Sequence, residues 1–168
     1  MQNKILPFVT KSIIDFKYII FGGLSVFLWA SISTGLFSVN AFSALASVGK
    51  FGIDNPLMLL LIWGIVIPLV ENGFFFGVLF KFISEKARSS NRLQDIGTIV
   101  TICVVAASAT LFHVSVRGLS DAALMIDLLF FGISGVLVVV SRNIQASGYA
   151  HILVNSIVVA TSIGWIRI

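Results

Sequence analysis

Five stretches of roughly twenty apolar residues recur along this chain, and no other feature constrains its fold as much. A helix of that length crosses the hydrocarbon core of a bilayer. The first stretch runs from about Tyr18 to Val39, too long for the core of a signal peptide and long enough to span. The others run about Leu57–Ile83, Ile96–Val116, Ala122–Val140 and Ser147–Ile166. Residues 40–55, which contain AFSALASVGKFGIDN before Pro56, read as a connector lying at the membrane interface. The expected fold is therefore all-α, a polytopic transmembrane helical bundle of about five spans. Residues 1–56 form an N-terminal segment with the first span and the connector, and residues 57–168 form a four-span membrane core.

Only 11% of the residues are charged and 58% are hydrophobic, with a mean hydropathy of +1.06. A soluble domain carries about 25% charged residues, so this chain lacks the polar surface to face water on all sides. Its net charge of +4 does not imply a nucleic-acid partner, because the basic residues are scattered between the apolar spans. They read as topology signals. With a cytoplasmic N-terminus, Lys4, Lys11, Lys17, Lys81, Lys86, Arg88, Arg92 and Arg142 fall inside, and only Lys50, Arg117 and Arg167 outside. That asymmetry predicts a multi-pass protein of the cell membrane with its N-terminus in. The single cysteine, Cys103, lies within an apolar run and reads as a small buried hydrophobe, which leaves no disulfide framework.

The strongly polar residues at membrane depth are few: Glu71 and Asn72, His113, Asp127, and His151 and Asn155. An ionised side chain at the centre of a membrane helix costs about 2.5–3.5 kcal/mol on insertion scales, so Glu71 is seldom incidental. His151 and Asn155 stand at i and i+4, on one helix face, where two donors can converge on one oxygen atom. Burial disfavours an ionised carboxylate and a nearby imidazole favours it, so Glu71 beside a histidine suits a general base toward water. Ser108 and Ser115 read as ordinary small helix residues, so the enzyme class these residues allow is an activated-water hydrolase.

Plainer readings exist for each residue. Histidines and asparagines also bond helices together, and Glu71, His113 and His151 could share a metal, although their spacing carries no metal signature. No metal or cofactor is expected. Asp127, about five residues into its span, reads as a structural residue reaching the interface. Gly73 and Gly77 read as a close helix-packing step, and Phe74, Phe75 and Phe76 as lipid-facing or packing residues.

The order of the polar set resembles the CPBP intramembrane proteases, the family of type 2 CaaX prenyl proteases and bacteriocin-processing (Abi) relatives. Their first motif, Glu-Glu-x-x-x-Arg after a proline, is similar to Pro68-Leu69-Val70-Glu71-Asn72-Gly73-Phe74-Phe75-Phe76-Gly77. Their second, Phe-x-x-x-His, aligns with His113, with Ala109 at the phenylalanine position and Phe112 beside the histidine. Their third, His-x-x-x-Asn or Asp, is matched in full by His151 and Asn155. The resemblance spans about residues 57–160. It implies a glutamate-dependent intramembrane endopeptidase without a metal, acting on a peptide or membrane-protein substrate in the lipid bilayer. Glu71 and His113 would activate a water, and His151 and Asn155 would hold the oxyanion.

Asn72 and Phe76 stand where the family carries its second glutamate and its arginine. Losing both removes a charge pair together, which is electrostatically coherent at this depth. It also opens an alternative, a catalytically degenerate relative acting as a membrane interaction or bacteriocin-immunity factor. A small proton-coupled carrier is disfavoured, because five short spans show no inverted repeat. One expectation runs against a shared site. Counted at about 1.5 Å per residue from these span ends, His113 and His151 fall on the order of 15 Å apart along the membrane normal.

Overall fold

A computed structural model describes residues 16–46, 54–87, 94–117 and 120–167. Lys4, Lys11, Lys50, Arg88 and Arg92, used above to orient the chain, lie outside the described residues. The described chain is helical, with no strand among the described residues: α1 (Phe16–Phe37), α2 (Ala41–Ala46), α3 (56–87), α4 (Gln94–Arg117), α5 (Asp121–Ser141) and α6 (Ile144–Ser162). Helices suit apolar surroundings because they satisfy their backbone hydrogen bonds within one segment. Their ends carry local signals. Asn55 accepts from the Leu57 and Met58 amides ahead of Pro56 at the start of α3. Ser120 caps α5, and Asn143 caps α6 by accepting from the Gln145 amide at 2.8 Å. Between α5 and α6 the chain turns at Arg142, whose φ of 52° is left-handed.

Four segments are long and apolar enough to cross a membrane: Phe16–Phe37, Pro56–Ser84, Ile96–Ser115 and Asp121–Ser141. Helix α6, which overlaps the fifth expected span, is not among them. Gln145, Ser147, His151, Asn155, Ser156 and Thr161 dilute its apolar character. It forms the interior of the bundle, with α1, α2, α3 and α5 packed around it. The outer faces are apolar, with Phe27, Val70, Ile99, Leu111 and Val140 exposed, while the polar side chains point inward. That distribution inverts a soluble protein and suits lipid.

Within residues 40–55, read above as a connector, the described part includes the short helix α2, which packs inward. Ala41 and Leu45 are buried against α5 and α6, and Phe42 meets the Trp29 ring edge-on at 5.3 Å. Trp29 is fully buried, donates its indole N–H to the Ile126 carbonyl at 3.0 Å, and meets Phe130 at 5.5 Å. It joins α1, α2 and α5.

Close helix crossings occur at glycines other than the expected pair. A Cβ at Gly73 would meet nothing within 4 Å, and one at Gly77 only the tip of Ile144 at 3.8 Å. One tight crossing is at Gly22, where a Cβ would lie 2.9 Å from the Ala146 carbonyl oxygen and 3.0 Å from the Ala150 nitrogen. These are backbone atoms that cannot rotate away. Gly22→Ala should therefore push α1 off α6 and destabilise the bundle by about 1–3 kcal/mol. A thermal melt in detergent micelles checks this, with Gly23→Ala, which meets nothing within 4 Å, as the neutral control.

Candidate active site

Helix α3 is not uniformly α-helical. Leu60–Val66 and Gly73–Leu79 are π-helical and flank an α-helical step, Ile67–Asn72, that carries Glu71. The first widening has a local cause. Pro68 has no N–H to donate back along the helix, which leaves the preceding turn short of a donor. Two side chains of α6 serve that turn. Asn155 Nδ2 donates to the Trp63 carbonyl at 3.2 Å, and Ser156 Oγ donates to the Gly64 carbonyl at 3.3 Å. Gly64 admits this approach, since a Cβ there would lie 3.0 Å from Ser156 Oγ. The proline and the two α6 side chains together set where Glu71 stands.

Glu71 faces two imidazoles. Its Oε2 lies 3.3 Å from His113 Nε2, from α4, and 3.4 Å from His151 Nε2, from α6. The other His113 nitrogen, Nδ1, lies 3.0 Å from both carboxylate oxygens of Asp127, from α5. Four helices thus contribute one ionisable side chain each, and all four are buried. Phe131 presents its ring to both histidines, at 5.1 Å from His113 and 5.4 Å from His151, and Phe130 adds a second ring beside His151. Aromatic walls exclude water and strengthen the electrostatic coupling among the enclosed groups.

The two histidines, expected on the order of 15 Å apart in depth, have ring centroids separated by 6.4 Å. The depth count assumed that every helix starts at a membrane face. Helix α6 is enclosed by other helices, so its packing against them sets the height of His151.

Asn72 and Phe76 stand apart from the cluster. Asn72 Nδ2 donates to the Ile144 carbonyl at 3.2 Å, and its Oδ1 accepts from Ser147 Oγ at 2.8 Å. It pins α3 to the start of α6. Phe76 is 1% exposed and stacks on Phe131 with centroids 6.4 Å apart and planes 27° apart. An aromatic contact thus fills the place where the family motif has its arginine. Asn155 sits one turn beyond His151 on the same helix, with an amide hydrogen engaged by Trp63.

Asp127 is the residue that the reading of single spans misplaced. It does not reach the interface, being 4% exposed and turned inward onto His113. A signal was available in the hairpin of α4 and α5. His113 stands four residues before Arg117 and Asp127 six after Asp121, so both lie at similar distances from the connection. Ser147 and Trp63 also belong to these contacts, and neither a serine hydroxyl nor a backbone carbonyl carries a sequence signature.

The ligand atoms of Glu71, His113 and His151 lie within 4.8 Å of one another, close enough to converge on a cation as well as on a water.

A family model described as Type II CAAX prenyl endopeptidase Rce1-like matches residues 53–157, well over half of the chain and inclusive of every residue of the cluster. No curated protein and no solved structure matches. With its apolar helices and inward polar residues, this chain is an integral membrane protein that belongs to the Rce1-like family of type II CAAX prenyl endopeptidases.

Proposed function

We propose that the protein is a glutamate-type intramembrane endopeptidase, hydrolysing a peptide bond of a membrane-associated substrate. The observation that carries this reading is Glu71 Oε2 set 3.3–3.4 Å from two imidazole nitrogens inside an aromatic enclosure. Glu71, paired with His113, takes a proton from a bound water. The water oxygen bonds to the scissile carbonyl carbon, and the carbonyl oxygen becomes an oxyanion. His151, and the Asn155 N–H not used on Trp63, donate to that oxyanion. Collapse breaks the C–N bond, and the amine leaves with the proton that Glu71 took. The route uses no metal. Lys17, Lys81 and Arg142 support a cytoplasmic N-terminus.

The test is cleavage of membrane-peptide and membrane-protein libraries by purified protein in detergent, with and without a chelator. Wild type should cut, with or without chelator, and Glu71→Gln and His151→Ala should not. Activity that persists in both variants would sink the mechanism.

A second reading, a degenerate relative acting by interaction or as an immunity factor, is favoured by one observation. Asn72 is committed to bonds with Ile144 and Ser147 and brings no acid to the cluster. Failure of the wild type to cleave any substrate would support it. Asn72→Glu separates packing from lost chemistry. A carboxylate there would face the Ile144 carbonyl with no donor, so we expect no gain in cleavage and a lower melting temperature. The expected cost is about 1–3 kcal/mol. A gain in rate would show instead that the position is catalytically open.

A further inference from the structure

Asp127 has no part in the mechanism above, yet it makes the shortest contacts to His113 in the cluster. We propose that Asp127 is the positioning carboxylate of the site, fixing the tautomer of His113 so that its Nε2 exchanges a proton with Glu71. The proposal rests on the hydrolytic reading and extends it by one residue.

The geometry is that of an imidazole held between two acids. Both Asp127 oxygens lie 3.0 Å from Nδ1, while Glu71 Oε2 lies 3.3 Å from Nε2. A carboxylate has only acceptor sites and a neutral imidazole only one N–H, so with the Nδ1–H donated to the nearer Asp127 the Nε2 lone pair faces Glu71. That contact holds no proton at rest, and the one proton given up by the attacking water fills it. When Glu71 takes the proton of the attacking water, it can pass it to Nε2. The resulting imidazolium is stabilised by Asp127 on its far side, and the proton returns through Glu71 to the leaving amine. No atom or charge is left over. The arrangement follows the general logic of a base oriented by a buried acid.

Asp127 is also held in place. The carbonyl of the preceding residue, Ile126, accepts the indole N–H of the buried Trp29, which ties this turn of α5 to α1. Phe131, one turn further along α5, lies against the His113 ring at 5.1 Å and limits its rotation. The competing account is that Asp127 and His113 merely fasten α4 to α5. A fastening role predicts lost stability with unchanged chemistry. A positioning role predicts lost kcat, unchanged KM and a moved proton.

The chain has two histidines, so protein labelled with nitrogen-15 at histidine shows two imidazoles, and His151→Gln identifies the one belonging to His113. In metal-free detergent solution, wild-type His113 should show a hydrogen fixed on Nδ1. Asp127→Asn should shift the ring toward the other tautomer and lower kcat about 100-fold or more, with KM within about twofold. Asp127→Glu, which keeps the acid, should recover part of the rate. A wild-type spectrum with the hydrogen on Nε2 alone would overturn the proposal even if no variant folds. So would Asp127→Asn that leaves both kcat and the His113 signals unchanged. Failure of the hydrolytic reading looks different, because Glu71→Gln would then retain activity or the wild type would cleave nothing, while the His113 spectrum reports on Asp127 independently.

Discussion

Glu71→Gln is expected to lower kcat by about 10²–10⁴-fold on any peptide that the protein cleaves, with little change in fold. Glutamine has nearly the same shape and can keep a contact with His113 or His151, so the enclosure should persist. What it cannot do is accept the proton of an attacking water. The two histidines cannot substitute for it, since both lie against the same Glu71 oxygen. Steady-state kinetics on one cleaved peptide, beside a thermal melt of each protein, measures the effect. A rate within tenfold of wild type with an unchanged melt would remove Glu71 from the mechanism.

Trp29→Ala should be the most destabilising single substitution outside the cluster, at about 3–5 kcal/mol. The indole is fully buried and meets Phe42 and Phe130 edge-on, with interplanar angles of 82° and 71°. Truncation removes these contacts, opens a void where α1, α2 and α5 meet, and deletes the bond to the Ile126 carbonyl. Void and lost dispersion weigh the same in lipid as in water, because the bilayer cannot refill a sealed core. Trp29→Phe should cost less, since a ring remains and only the single hydrogen bond is lost, about 0.6–1.7 kcal/mol in a membrane bundle. Unfolding in mixed micelles ranks the two variants. Equal losses would mean that the hydrogen bond, not the packing, holds this junction.

Trp29→Ala should also weaken catalysis. Phe130, on which Trp29 rests, lies 5.4 Å from His151, so a void on one side of that ring loosens the wall of the site on the other.

Much of this was legible along the chain. Apolar runs near the length of a bilayer crossing located the helices. The rarity of polar residues at depth singled out Glu71, His113 and His151, which the fold brings into mutual contact. Such residues are costly in lipid wherever the helices come to rest, so their presence is readable without a structure. The Gly73–Gly77 step misled because spacing describes one helix face and says nothing about what lies opposite. Gly22 and Gly64, without such a pattern, mark tight crossings because α6 runs against them.

The sequence alone determined that this is an all-helical membrane protein with a few buried polar groups in a recognisable order. Only the tertiary structure decided that α6 is enclosed by the other helices, that His113 and His151 meet, that Asp127 joins them and that Asn72 turns aside to Ile144 and Ser147. The reason is physical. Hydropathy and capping act within one segment and are written in consecutive residues. The depth and rotation of a helix relative to its neighbours are set by contacts between residues far apart in the chain, such as Trp29 with Ile126 and Asn155 with Trp63.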